Sequence, residues 1–259
     1  MNRLIHTLTI SAVATFAVSA RAQEELLNDP FSPDAPAVEA PSNPDQLEPI
    51  PAYDPDGYDQ AVYRSLLGAE DADAWMIGKP SFSPEYAVIL RHFNITDDPF
   101  DRKMESQRWV LEYVEAKKQI WRWKDLEGGR MELDIEVTRD LNEKSVEVAP
   151  EFAAAILSAW ESVLRKTRYP EVDYRGLDGA TYQFYSRYGL FGEIWTPSTG
   201  LPRMITDLGH ELCAVAKADE KDRKKHTEKS LKLASAIRTA TKKPEQNAAG
   251  QPATRPLSE

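Results

Sequence analysis

The chain reads as an α+β protein: an antiparallel sheet of about five strands with two helices packed on one face, flanked by disordered N- and C-terminal segments. Three observations predict this. Short runs of period-two alternation are joined by brief turns, which implies antiparallel neighbours. Two later stretches carry one apolar stripe each at spacings of three and four, as helices lying on a sheet do. At both ends large apolar residues thin out while prolines and charges accumulate, so ordering entropy has little burial to offset it.

The first 22 residues predict a secretory signal. Arg3 supplies a short positive region, Leu8 to Val18 is apolar or small throughout, and Ala20-Arg21-Ala22 is a small-x-small cleavage pattern. The mature chain is then expected to begin at Gln23 and to be periplasmic or secreted. Residues 23–60 hold eight prolines and ten acidic residues without a single Lys or Arg. This composition predicts a disordered, acidic, Pro-rich linker. Residues 61–218 form the expected globular domain, and at roughly 160 residues they can bury about two-thirds of their unfolded surface. Residues 219–259 carry ten Lys and Arg against six acids. Their thin apolar face (Leu231, Leu233, Ala234, Ile237) predicts a basic tail, partly helical or disordered.

Within the domain, Glu85 to Phe93 is apolar on both faces, as a central strand is. Arg108 to Ala116 alternates with Trp109, Leu111 and Tyr113 on one face, and Gln119 to Trp123 is read as continuing that strand after a bulge. The turn Glu127-Gly128-Gly129-Arg130 leads into Met131 to Val137, where Met131, Leu133, Ile135 and Val137 are expected to face inward. Pro150 suits the first position of a helix striped by Phe152, Ile156, Trp160 and Val163. A hairpin follows from Ala180 to Trp195, with Tyr182 and Phe184 on one face and Thr181, Gln183, Tyr185 and Arg187 on the other. The second helix carries Leu201, Ile205, Leu208, Leu212 and Val215.

Several chemistries are excluded. The formal net charge of −10 argues against nucleic acid as a partner. No apolar run reaches the ~18 residues of a transmembrane helix. One cysteine, Cys213, rules out an internal disulfide and reads as a small buried side chain. Neither Gly-rich phosphate loop occurs, nor the GxSxG elbow, so no cofactor is expected. His210-Glu211 begins like a zinc-protease helix, but Ala214 stands where the second ligand belongs. Asp54 to Asp59 resembles a calcium loop whose first and last ligand positions, Ala52 and Tyr63, carry no carboxylate; no metal is expected. Glu132, Asp134 and Glu136 read as a solvated strand face.

Two functional expectations remain. The first is a non-enzymatic binding module of the cell envelope, taking a protein or glycan partner. Its expected binding residues are Tyr185 and Arg187, on the strand face opposite the helices, with Trp195 on the neighbouring strand, since Tyr, Trp and Arg dominate binding hot spots. The alternative is an envelope hydrolase using His92 with a carboxylate such as Asp134 or Glu193 in acid–base roles.

Overall fold

The computed structural model describes residues 46–51, 54–68, 71–95, 106–127, 129–169 and 178–242. The segment 1–22 expected as a signal, the expected linker up to Asp45 and the residues beyond Lys242 lie outside the described residues. The elements in chain order are α1 (Tyr58–Leu66), β1 (Ala74–Pro80), β2 (Tyr86–Ile95), β3 (Ser106–Ala116), β4 (Trp121–Leu126), β5 (Arg130–Ile135) and β6 (Leu141–Val148). Then come α2 (Pro150–Leu164), β7 (Ala180–Ser186), β8 (Leu190–Trp195), α3 (Gly200–Lys217) and α4 (Glu220–Lys242).

The fold is α+β, with a six-stranded antiparallel sheet in the order β6-β3-β2-β1-β7-β8 and a separate two-stranded sheet of β4 and β5. Two strands of the main sheet escape the sequence reading. β1 is too short for its alternation to show: Ala74 to Ile77 are all buried and Gly78-Lys79-Pro80 follows at once. As a central strand it is covered on both faces, which erases the period-two signal. β6 is an edge strand rich in Glu, Lys and Ser. Leu141, Val146 and Val148 pack on the core, and its charges suit an exposed edge.

β4 does not continue β3. Ile120 is buried between the two, and its N–H donates to Glu85 Oε2 at 2.9 Å. This contact turns the chain out of the main sheet into the β4–β5 hairpin. Ile135 packs on the core, but Met131 is 56% and Trp123 57% exposed. The expected inward stripe of Met131, Leu133, Ile135 and Val137 therefore holds only at the hairpin's base.

One face of the main sheet is covered by α2 and α3, and α4 packs on those two helices. Met76, Val88, Leu90, Leu111 and Phe184 on the strands meet Ile156, Trp160 and Val163 of α2 and Ile205, Leu208 and Leu212 of α3. α4 is a continuous 23-residue helix packed against α2 and α3, with Ser230, Ala234 and Ile237 buried. Glu211 of α3 reaches across to His226 Nδ1 (3.0 Å) and to Lys229 of α4. Three small or medium side chains at spacings of four and three suffice here, because the helices already present a closed apolar groove.

The opposite face is not open, as the two-helix arrangement had implied; α1 covers it. Ala61, Val62 and Leu66 pack against Trp75, Ile77, Ala87 and Ile89. Buried polar groups fix the helix there. Tyr58 Oη donates to Glu85 Oε1 (2.7 Å), and Tyr63 Oη donates to Gln183 Oε1 (2.8 Å). The Gln183 amide nitrogen reaches Asp59 Oδ2 and Glu193 Oε2, each at 3.1 Å, and Lys79 pairs with Asp59 at 2.6 Å. Asp54 to Asp59 is the entry to α1: Asp54 Oδ2 accepts the N–H of Gln60 and its carbonyl that of Gly57. Among the described residues the packing extends from Leu47 to Ile237. At its N-terminal end Leu47 is fully buried and Glu48 bridges to β8.

This arrangement makes α4 part of the core. Ile237→Ala is expected to cost about 2–5 kcal/mol, in the same range as Leu208→Ala, since both empty a fully buried site. Glu132→Ala, on an exposed strand face, is expected within about 0.5 kcal/mol of neutral. Chemical denaturation of the three variants checks this.

Candidate functional site

The helix-covered face ends in a row of four directly opposed residues: Tyr182 on β7, Gly78 on β1, Tyr86 on β2 and Glu115 on β3. Gly78 decides the geometry of the row. A Cβ added there would stand 2.4 Å from Cζ of Tyr86, so the phenol ring lies across the glycine. Its hydroxyl meets His210 Nε2 of α3 at 2.9 Å. A second close approach sets the height of α3: a Cβ on Gly209 would stand 2.2 Å from Sδ of Met76. The bare backbone lets the helix sit low enough for His210 to reach the sheet.

From α3, His210, Cys213 and Lys217 project at spacings of three and four, hence from one helix face. The His210 ring meets Tyr182 edge-on at 5.3 Å, and Tyr86 lies 6.1 Å from Tyr113. Lys217 Nζ sits 4.3 Å above the Tyr113 ring, a cation–π distance. Together Tyr86, Tyr113, Glu115, His210, Cys213 and Lys217 line an open cleft of about 240 Å³.

Burial governs the protonation of this cleft. It is the leading cause that pushes the phenols of Tyr86, Tyr113 and Tyr182 above their ordinary value, so all three remain hydroxyl donors at neutral pH. It pushes the Cys213 thiol up to about 12, which removes the thiolate a nucleophile needs. It lowers His210 below its ordinary 6.5, leaving a neutral imidazole hydrogen-bonded to a phenol. The cleft is therefore suited to stacking and hydrogen bonding, with a lysine and a glutamate at its rim.

The residues singled out in the sequence fall elsewhere. Tyr185 lies under the α1 side of the sheet, stacked on Trp75 at 5.6 Å and tilted against Phe191 at 4.9 Å. Arg187 sits in the β7–β8 turn and reaches Glu161 (3.6 Å) and Asp73 (3.7 Å). Trp195 opposes Thr181 at the far end of the same hairpin, against Gly179. Four residues along β8 separate Trp195 from Phe191, the partner of Tyr185, or about 13 Å. The three do not form one patch: Tyr185 packs on Trp75 and Phe191, Trp195 stands at the far end of the hairpin, and Arg187 is held by two carboxylates.

The carboxylates considered for a hydrolase do not meet His92. Asp134 pairs with Arg122 on the projecting hairpin at 2.8 Å. Glu193 is buried on the α1 face, whereas His92 follows Val88 and Leu90 on the helix face. The carboxylate that His92 does meet is Asp73, just before β1. Its Oδ2 lies 2.6 Å from Nδ1 and accepts the His92 backbone N–H at 3.0 Å. The imidazole also packs on Trp109 at 5.3 Å. Sequence reasoning missed Asp73 because it missed β1. Among the described residues no group of three or more His, Cys, Asp or Glu side chains could hold a metal ion.

No protein-family model, curated protein or solved structure matches this chain.

Two outcomes follow from the site's construction. Gly78→Ala forces the Tyr86 ring off the glycine, at a cost of about 1–3 kcal/mol as an overpacking substitution. The Tyr86–His210 contact is then lost, which the His210 ring signals in NMR report. The second outcome concerns pH. The unfolded chain takes up a proton on His210 as pH falls through 6.5, whereas the folded chain resists until lower pH. Stability from this group is present above that value and lost as pH falls below it. Between about pH 7.5 and about pH 5.5, the melting temperature is expected to drop more in the wild type than in His210→Asn.

Proposed function

We propose that the protein is an exported, non-enzymatic binding module of the cell envelope, and that it takes its ligand in the cleft between α3 and the Tyr86 row. The observation that carries this reading is the cleft's chemistry. Two protonated phenols (Tyr86 and Tyr113), a neutral imidazole and a protonated thiol line a space for a single ring-sized group. Aromatic faces stack on the apolar faces of such a ring, while hydroxyl and imidazole groups bond its polar edge. Lys217 and Glu115 at the rim supply one charge of each sign for orientation. These features suit a hydroxyl-rich ring, such as one sugar unit of an envelope glycan.

Titration of the mature protein with soluble envelope-glycan fragments, followed by NMR or calorimetry, tests this. Saturable binding is expected, weakened about tenfold or more in His210→Ala and in Lys217→Ala with the melting temperature nearly unchanged. Equal affinity in the wild type and both variants removes the cleft as the site.

A second reading is favoured by one observation, the His92–Asp73 pair. The buried Asp73 carboxylate beside Nδ1 orients the ring and leaves Nε2 as the second ring nitrogen, the arrangement of an oriented general base. It supports an envelope hydrolase in which Asp73 takes the place of Asp134 or Glu193. Turnover of an envelope glycan or peptide by the wild type, abolished in His92→Gln, would displace the binding reading.

A further inference from the structure

Elsewhere on the molecule, α2 and α4 run close together along Ala159, Trp160, Val163, Ala234 and Ile237, all buried. Beyond Ile237 the seam opens. There the facing side chains are no longer apolar but Ser158, Ser162 and Arg165 of α2 and Arg238, Thr241 and Lys242 of α4, around a cleft of about 360 Å³. On α2 the three polar residues recur at spacings of four and three, so they share one face.

The charge balance of this cleft is unusual for a chain with a net charge of −10. Arg165 has one weak partner, Glu161 at 4.0 Å, and Glu161 is also shared with Arg187. Arg238 and Lys242 have no ion-pair partner among the described residues. Cations near helix C-termini ordinarily serve the helix dipole, and two such termini contribute about half a negative charge each. Three cations therefore leave a positive excess after the helix ends and the weak partner are counted. The side chains that supply it converge on a concave space large enough for a small ligand rather than spreading over a convex surface.

We infer that this cleft binds a phosphate group, carried either by a small soluble molecule or by a lipid headgroup. Two guanidinium forks from different helices match the tetrahedral array of phosphate oxygens better than they match a single carboxylate. Lys242 adds a point charge, and Ser158 adds a hydroxyl donor at the edge. The site is independent of the aromatic cleft and of the His92–Asp73 pair, so its fate does not bear on either reading of function.

The test uses the full mature chain. Calorimetric titration with pyrophosphate and with glycerol phosphate reads soluble phosphate. Sedimentation with phosphatidylglycerol vesicles, against phosphatidylcholine vesicles, reads the headgroup. The double variant Arg165→Ala/Arg238→Ala is expected to weaken binding about tenfold or more, and added salt to weaken the wild type more than the variant. Both arginines are exposed, so the melting temperature should hold. Arg238→Lys, which keeps charge but loses the fork, should fall between the wild type and Arg238→Ala. Binding of soluble phosphate, or of phosphatidylglycerol vesicles alone, supports the site and names its source. Equal binding by the wild type and double variant overturns it, as does failure of every probe at about 0.15 M salt.

Discussion

Gln183 lies fully buried in β7, and its side-chain amide is the point through which the α1 face of the sheet is organised. Its oxygen takes the Tyr63 hydroxyl and its nitrogen faces Asp59 and Glu193. A buried amide without partners would be costly. Here every bond goes to α1 or to β8, so the same bonds that satisfy Gln183 also seat the helix and align the outer strand. Glu85 repeats the device at the other side of α1, joining Tyr58 to the backbone of Ile120. With α1 seated, the second face of the sheet is covered by apolar packing tied together with a buried polar network. The helices on the first face are then free to leave a cleft without exposing the core.

The aromatic cleft depends on that division. Its walls are made by two glycines that remove bulk where a sheet and a helix must approach, and by tyrosines whose rings occupy the space released. The chemistry of the cleft follows from burial more than from any charge. Apolar surroundings keep phenol, thiol and imidazole neutral, so a constellation that looks nucleophilic in composition is a hydrogen-bonding surface in fact. His92 shows the contrasting case. Its ring is 41% exposed, its partner Asp73 only 6%, and that asymmetry orients the imidazole while leaving it accessible.

How much of this was legible in the sequence follows from periodicity. The stripes of α2 and α3 and the alternation of β3 and β7 announce themselves by their period, and β2 by a long run that is apolar on both faces. β1 does not, since its apolar run is only Ala74 to Ile77 before Gly78-Lys79-Pro80, and α1 hides because it begins inside a segment whose prolines and acids signal a linker. Those two omissions explain why the sequence alone puts Tyr185, Arg187 and Trp195 together on one open face. Without α1, Tyr185 seems to lie on open sheet. Without β1, neither Asp73 nor Gly78 has a role, and His92 and Tyr86 lose the neighbours that define them. No pattern in the sequence signals the approach of Gly78 to Tyr86, because the contact belongs to three strands and a helix at once. His210 reads as an outer polar residue for the same reason.

The position of β1 has a consequence for the way the chain acquires its structure. On one side β1 joins β2 through a short loop, and β2 joins β3 as a meander, so these pairings bring together residues close in sequence. On the other side β1 pairs with β7, where Gly78 stands opposite Tyr182, about a hundred residues later. Closing so long a loop carries an entropic cost that grows only slowly with length, yet it must be met before any contact across it contributes. The meander from β1 to β3 can form first; the hairpin β7–β8 is equally local. The strand order thus places the longest loop closure beside β1 at its seam with β7. The Tyr63–Gln183 bond of α1 depends on that closure, whereas its Tyr58–Glu85 bond does not.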